Sequence, residues 1–242
     1  TVTGGSIEYV QKLIQDSRFT MRTGVSVASV ERYDDCIELL FADGQRERFD
    51  QIVLATHADT ALSLLAEPTE REAELLSVFE TSANTVYLHR DAALMPRKRR
   101  FWSGWNYRMN AGVQKTRPEV TYWMNALQKL KSPDQHFVSL NPEKLPDPSL
   151  TDGVFHYRHP LFNEATLHAQ KELWSLQGVN RVWFCGAWFG SGFHEDGLQA
   201  GLAVAEQLGS VRRPWSVEQE SARIHLQPTP QPIPNVLTEA AE

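Results

Sequence analysis

The sequence predicts an α/β protein in which a second domain of antiparallel strands interrupts the sheet domain. Three observations support this prediction. Residues 182–185 form a short apolar run without polar alternation, which is typical of a parallel strand covered on both faces. A glycine-rich loop and a stretch of small residues with helical spacing follow that run directly. Between residues 84 and 157, short strand-like runs separated by prolines indicate an antiparallel insertion.

The composition is that of an ordinary globular protein. Of its 242 residues, 41% are hydrophobic and 22% are charged, which suffices for one large or two modest domains. A net charge of −6 argues against nucleic acid as the main partner and leaves a small molecule. The sequence shows no apolar run long enough for a membrane-spanning helix and no signal-peptide pattern. Cys36 and Cys185 lack metal-like spacing and are expected to be reduced core residues, which fits the cytoplasm.

The first eighty residues predict a helix, a meander of three strands and a buried strand. The helix covers residues 7–14 with Ser6 as its cap, and its apolar side is expected to lie under a sheet. The dipeptide Asp43-Gly44 between alternating runs indicates a hairpin. The predicted strands cover residues 25–32, 36–41, 46–49 and 52–55, and helices are predicted at 58–65 and 69–79.

The middle of the chain predicts the antiparallel insertion and concentrates aromatic residues. Such residues could line a cavity for an apolar or amine-bearing substrate, although aromatic residues in strands more often pack in a core. His156 and His159 would point to opposite faces of a strand, and two ligands without a third do not make a site, so no metal is predicted. The predicted strands cover residues 85–89, 101–107, 120–124, 137–140 and 154–157, and a helix covers 166–176.

Residues 181–208 have the pattern of a ligand-binding segment. Glycines at 186, 190 and 192 permit positive φ and let a ligand approach the backbone. A helix is predicted from about Asp196, which would act as its N-cap. The unpaired N–H groups of its first turn would bind a phosphate, a carboxylate or an electron-rich carbonyl. The same spacing also fits an ordinary strand, loop and helix without a ligand.

Two segments of this stretch, Phe184-Cys185-Gly186-Ala187 and residues 190–201, resemble the C-terminal flavin-binding segment of the flavin-containing amine oxidase superfamily. That superfamily includes phytoene desaturases and protoporphyrinogen oxidases, and the resemblance is closer to a bacterial branch described only as NAD/FAD-binding proteins or FAD-dependent oxidoreductases. It implies FAD as the cofactor, with the helix N-terminus at the pyrimidine edge of the flavin ring. By resemblance the cofactor-binding residues are Val27, Gly186, Ala187, Gly192, His194, Asp196, Gly197, Leu198 and Ala200.

The resemblance also implies a domain division. Residues 1–80 and 178–212 would form a partial FAD-binding domain of the glutathione-reductase type with its β-meander. Residues 81–177 would form an inserted α+β substrate domain, and residues 213–242 a proline-rich tail. The GxGxxG turn with which the superfamily begins does not occur in the sequence, so we expect the chain to be the C-terminal portion of a longer protein.

The implied reaction is hydride transfer from an apolar or amine-bearing substrate to flavin N5. His194 and Glu195 are the titratable pair of the loop that could serve as catalytic acid and base. The run 85–89 lacks the lysine of authentic amine oxidases, which argues against amine oxidation in particular. The residues predicted to line the substrate cavity are Trp102, Trp105, Tyr122, Trp188 and Phe193.

Two alternatives stay open at this point. One is a flavoprotein without net redox turnover, such as an isomerase or a mutase. The other is a fragment that neither binds the cofactor nor catalyses a reaction by itself. The sequence does not predict the oligomeric state.

Overall fold

The computed structural model describes residues 2–108 and 119–226. The chain divides into two compact units. The first unit is built from Thr1–Thr23 and Thr81–His159, and the second from Gly24–Glu80 and Pro160–Glu242. This division differs from the predicted one at two places, because residues 1–23 belong to the first unit and residues 160–177 belong to the second. The physical reason is packing, because Ala169, Leu173 and Trp174 belong to the hydrophobic core of that unit.

The described elements follow the predicted order. The strands are β1 Val27–Arg32, β2 Ile37–Phe41, β3 Arg46–Phe49, β4 Ile52–Leu54, β5 Thr81–His89, β6 Trp105–Arg108, β7 Glu119–Trp123, β8 Phe137–Leu140, β9 Thr151–Pro160 and β10 Val182–Phe184. The helices are α1 Ile7–Asp16, α2 Ala58–Leu64, α3 Glu70–Leu76, α4 Met124–Leu127, α5 Glu164–Gln170 and α6 His194–Gly209. The described residues therefore form a mixed α/β fold with several sheets.

The second unit contains the three-stranded meander and a short parallel pair. Strands β1, β2 and β3 are antiparallel neighbours in that order. Strands β4 and β10 pair in parallel, with Ile52 opposite Val182 and Leu54 opposite Phe184. The predicted strands at 52–55 and 182–185 thus lie in one sheet, as expected. All three residues of β10 are fully buried, which explains the absence of polar alternation in the run.

A glutamine side chain completes the hydrogen bonding of β10. Phe184 donates its N–H to Oε1 of Gln177 at 2.8 Å, and Gln177 Nε2 donates to the Phe184 carbonyl at 2.7 Å. The side-chain amide therefore takes the place of a neighbouring strand. Because buried backbone groups must find partners, this contact lets so short a strand lie fully buried.

Three sequence predictions differ from the structure at helices and strand ends. Helix α1 forms, but none of its residues is buried and Leu13 is 60% exposed, so the prediction that it lies under a sheet is wrong. Periodicity predicts an apolar face without saying what covers it. The predicted helix 166–176 is α5 followed by a 3-10 turn, Leu173–Leu176. The predicted strand 101–107 starts later, at Trp105, after a 3-10 turn at Arg99–Phe101.

The first unit is organised around a five-stranded sheet in the order β6-β7-β8-β5-β9. A buried polar network crosses its central strands. His89 is fully buried, and its Nε2 lies 2.9 Å from Oγ of Ser139, which lies 2.8 Å from Oγ1 of Thr121. The other ring nitrogen, Nδ1, accepts the backbone N–H of Asp91 at 3.2 Å. This bond fixes the proton on Nε2, so the network holds a neutral imidazole.

We predict a specific pH dependence of stability from this histidine. Burial lowers the pKa of His89 below its ordinary value. This histidine therefore binds a proton more readily in the unfolded chain than in the folded one. The stability that the neutral His89 contributes is complete above about pH 6.5 and is lost as the pH falls below that value. The free energy of unfolding should fall by up to about 1.4 kcal/mol per pH unit in wild type relative to His89→Gln. Urea unfolding between pH 8 and pH 5 measures the difference, and parallel profiles for the two proteins would refute the neutral network.

Candidate functional site

The glycine-rich loop starts where β10 ends and passes close to a tryptophan ring. Gly186 has a φ of 153°, and a Cβ at this position would lie 2.6 Å from Nε1 of Trp188. The same indole nitrogen donates to the carbonyl of Thr56 at 3.0 Å. Thr56 follows β4, so this bond ties the loop to the end of the neighbouring parallel strand. The carboxyl ends of parallel strands are where open α/β sheets bind ligands.

A second buried amide fixes the next part of the loop. Gln170 of α5 donates from Nε2 to the carbonyls of Trp188, at 2.9 Å, and Gly190, at 2.6 Å. Gly190 is also closely packed, since a Cβ there would lie 2.7 Å from the carbonyl oxygen of Arg223 and 2.7 Å from Oδ1 of Asp196. The loop is therefore held by the second unit before α6 begins.

Helix α6 begins at His194 with Phe193 at the N-cap position, so the prediction that Asp196 is the N-cap is wrong and Asp196 is the third residue of the helix. Asp196 is fully buried inside the first turn, and its Oδ2 accepts the N–H of Phe193 at 2.7 Å. The N–H of Gly197 bonds to the carbonyl of Phe193 at 3.3 Å. The N–H groups that point out of the helix without an intrahelical acceptor are therefore those of His194 and Glu195, rather than those of Gly197 and Leu198.

The carboxylates of the first turn are both engaged by neighbouring side chains. Arg223 Nε donates to Oδ1 of Asp196 at 2.5 Å, and its guanidinium lies 5.6 Å from the centre of the Phe193 ring. Glu195 Oε1 accepts from Nε2 of Gln199 at 2.9 Å, and Gln199 Oε1 accepts the N–H of Arg223 at 3.1 Å. The hydrogen bond that Arg223 donates to Asp196 raises the pKa of Arg223 above its ordinary value. The buried negative charge at the helix start is thereby compensated.

Sequence reasoning missed Arg223, because it lay in the predicted proline-rich tail. In the structure Arg213 and Ile224 are buried, and Arg213 pairs with Glu206 of α6. That contact lowers the pKa of Glu206 to about 2, chiefly through the hydrogen bond from Arg213. The part of the tail up to residue 226 thus packs on the second unit, and residues 227–242 lie outside the described chain. In the sequence, the apolar Ile224 was the one indication that this part of the tail packs against the core.

The residues predicted to bind the cofactor all belong to the second unit. Val27 is in β1, opposite Phe41, and packs against the core. Ala200 is fully buried on the inner side of α6, whereas Leu198 is exposed. Gly197 and Ala187 are in close contact, because a Cβ on Gly197 would lie 3.5 Å from the N atom of Ala187. Of the remaining residues, Gly186 and Gly192 lie in the loop, and His194 and Asp196 lie in the first turn of α6.

The residues predicted to line the substrate cavity fall in both units. In the second unit, Trp188 is buried against Phe79 and Phe189, and Phe193 is exposed at the start of α6. In the first unit, Trp102 packs against Trp123. The rings of the remaining two, Trp105 and Tyr122, pack edge to face with their centres 5.5 Å apart.

The strand register places Trp105 and Tyr122 on a continuous apolar side of the sheet. Directly paired residues share a face, and residues two apart along a strand do as well. We call this side the apolar face, and none of its residues is charged. It consists of Trp105, Tyr107, Val120, Tyr122, Val138, Leu140, Val86 and Leu88.

The opposite side of the sheet carries the buried polar network. Trp123 pairs with Phe137 there, and both contact Trp102. The sheet therefore separates Trp102 from Trp105 and Tyr122, so these three residues do not line one cavity within the first unit. On the apolar face, Trp105 and Tyr107 are 52% and 62% exposed, Val120 is buried, and the remaining residues are half-buried. An exposed apolar surface of this kind is typical of binding sites.

A cavity of about 790 Å³ lies beside Tyr87, which pairs with Ser139 on the polar side of the sheet. None of the predicted site residues lines it. Its carboxylates are engaged locally, since Asp152 pairs with Arg90. Asp147 accepts hydrogen bonds from the side chain and backbone of Ser149, which lower its pKa. The cavity is lined by Tyr87, Asp91, Ala93, residues 144–148 and residues 150–154.

Two classes of feature are absent from residues 2–108 and 119–226. No group of three or more His, Cys, Asp or Glu side chains there could hold a metal ion. No helix in that part of the chain is long and apolar enough to cross a membrane.

Comparison with known proteins places the fold. No family model matches the sequence, and no curated protein matches it either. A provisionally assigned protoporphyrinogen oxidase from Exiguobacterium sp. 255-15 superposes with a TM-score of 0.61 at 11% identity, covering 86% of this chain and 51% of that protein. Putrescine oxidase bound to putrescine superposes with a TM-score of 0.56 at 12% identity, covering 86% of this chain and 53% of that protein. Reduced UDP-galactopyranose mutase superposes with a TM-score of 0.54 at 11% identity, covering 86% of this chain and 52% of that protein.

These similarities establish the fold and no more. The chain shares the mixed α/β fold of these enzymes and spans about half the length of each solved structure. At identities of 11–12%, reaction and substrate do not follow from superposition.

The packing of the loop gives a testable prediction with a matched control. Gly190→Ala should lower the free energy of unfolding by about 1–3 kcal/mol, because its Cβ would meet the backbone of Arg223 and the carboxylate of Asp196. Gly201→Ala places its Cβ in open space within the same helix-and-loop segment and should raise stability by up to about 1 kcal/mol. Urea unfolding measures both, and equal stabilities would contradict the described loop.

Proposed function

We propose that the second unit forms the flavin-ring end of an FAD site and that the protein is an FAD-dependent oxidoreductase acting on an apolar substrate. The observation that carries this proposal is the start of α6. The outward N–H groups of His194 and Glu195 lie in exposed residues, next to a loop that contains Gly186, Gly190 and Gly192. The resemblance of residues 184–201 to the superfamily supports the assignment.

The residues present fit the ring of a flavin. Gly186 and Gly192 have positive φ, so the backbone of the loop adopts a conformation that side chains would disfavour. Asp196 would oppose an electron-rich ring if its charge were uncompensated, and Arg223 compensates it. The helix dipole and the two outward N–H groups would then stabilise negative charge near the pyrimidine edge.

When bound, FAD would accept the hydride at N5, and the side chains would bind and orient the substrate. Gln199 orients the carboxylate of Glu195 along α6. We propose His194 and Glu195 as the acid and base that move a proton beside the ring. The run 85–89 lacks the lysine of authentic amine oxidases, which favours an apolar substrate over an amine.

A flavoprotein without net redox turnover is the second candidate, because UDP-galactopyranose mutase shares the fold. Anaerobic mixing with a substrate separates the two. An oxidoreductase bleaches the visible flavin bands of the substrate complex stoichiometrically, whereas a mutase leaves the flavin in the same redox state after turnover.

The backbone N–H of His194 can be tested by itself. His194 is the first helical residue, and Phe193 before it has φ −94° and ψ 162°, a conformation compatible with a following proline. His194→Pro removes both the N–H and the imidazole, whereas His194→Ala removes only the imidazole. We expect the Kd for FAD to be about tenfold or more higher in His194→Pro than in His194→Ala.

The measurement is fluorescence titration with FAD, together with the visible spectrum of each protein after removal of excess FAD. Equal Kd values for the two variants would show that this N–H does not contact the flavin. A wild-type chain that takes up no FAD would contradict cofactor binding by the chain alone.

A further inference from the structure

The edge strand β9 extends the apolar face and ends it with a histidine. Phe155 and Tyr157 stack with ring centres 6.2 Å apart, and the Tyr157 and His159 rings are 6.5 Å apart. His159 reaches Asn84 of β5, which lies on the same face as Val86 because the two are two residues apart. The apolar face therefore continues through an aromatic ladder to an exposed imidazole.

A chain of hydrogen bonds fixes the orientation of that imidazole. The N–H of Thr85 can only donate, and it bonds to Oδ1 of Asn141 at 2.8 Å. Asn141 Nδ2 therefore donates to Oδ1 of Asn84 at 2.6 Å. Asn84 Nδ2 donates to the carbonyl of Ser82 at 2.9 Å, which confirms the direction of its amide. The same Nδ2 lies 2.8 Å from Nδ1 of His159, so Nδ1 accepts and the ring proton is on Nε2.

This arrangement differs from an ordinary surface histidine. Asn84 is only 8% exposed, and burying an amide is costly unless every bond is made. Hydrogen bonds with the backbone position the side chains of Asn84 and Asn141. These side chains in turn orient His159 so that its Nε2–H donor lies at the end of the uncharged apolar face. His156, three residues earlier, lies 3.4 Å from Oγ1 of Thr85 on the other side of the sheet. The structure therefore confirms that the two histidines point to opposite faces.

We propose that the apolar face and His159 form one binding site for an apolar molecule that carries a carbonyl or carboxylate oxygen at one end. The oxygen accepts the Nε2–H of His159, and the apolar body extends across β5, β8 and β7 towards Trp105. From β9 to β6 the sheet spans four strand spacings, about 19 Å, which fits an extended or polycyclic molecule. A cationic head group is disfavoured because it can accept no hydrogen bond from His159.

Only the identification of this molecule with the oxidised substrate rests on the proposed function. The binding site itself requires no flavin, and its test uses the chain without added FAD. Failure of flavin binding and failure of this site are therefore separate results.

The test compares three probes of equal chain length: dodecanoate and dodecyltrimethylammonium below their micelle concentrations, and 2-dodecanone below its solubility limit. We expect calorimetric titration to show binding of dodecanoate, 2-dodecanone or both, and at least tenfold weaker binding of the ammonium. The two oxygen-bearing probes distinguish a carboxylate ligand from a carbonyl ligand. Equal affinity for all three probes, or no binding of either oxygen-bearing probe, would overturn the proposal.

The variants are His159→Phe and its matched control His156→Phe, which alters the same strand on the other face. His159→Phe keeps the aromatic ring and should weaken the preferred probe about tenfold without changing affinity for the ammonium. His156→Phe should leave all affinities unchanged. An equal loss in both variants, or no loss in His159→Phe, would show that the donor plays no part.

Imidazole nitrogen NMR of the wild-type chain tests the site without any variant. At pH 8 the His159 ring should be in the Nε2–H form, and the Nε2 resonance should shift on addition of the bound probe. An Nδ1–H form would refute the hydrogen-bond chain. Probe binding that weakens as protein concentration rises would show that a second copy covers the face, which would also overturn the proposal.

Discussion

The parallel pairing of β4 with β10 is the constraint on which the second unit depends. It joins segments that lie far apart in the chain and buries Val182, Trp183 and Phe184 completely. The glycine loop can reach the carbonyl of Thr56 only because β4 and β10 end at the same edge. Without that pairing, the start of α6 would lose the contact that joins its loop to the end of β4.

Buried polar side chains do much of the positioning in both units. Gln177 bonds the edge of β10, Gln170 holds the glycine loop, and Asp196 caps α6 from within. In the first unit Asn84 orients His159. Each of these side chains satisfies backbone groups or other buried polar atoms that would otherwise lose their hydrogen bonds to water, so each one both stabilises the fold and determines a local geometry.

The two sides of the five-stranded sheet differ in exposure. One side packs aromatic side chains around the buried network of His89, Ser139 and Thr121, whereas the apolar face carries the exposed rings of Trp105 and Tyr107. The proposed ligand would contact that exposed surface, and the oriented His159 at its end would supply the polar contact that selects among apolar molecules.

The sequence by itself determined the local elements. The unalternating run 182–185 gave a buried strand, Asp43-Gly44 gave a turn, and the small residues after 196 gave a helix, since these features depend only on near neighbours. The tertiary structure alone decided where α6 begins, because the capping Asp196 is buried through Arg223, 27 residues later. It likewise decided the orientation of the His159 ring, because the Asn84 side chain that contacts it lies 75 residues away in the chain. Periodicity specifies which side of an element is apolar, but the partner that meets that side comes from distant parts of the chain.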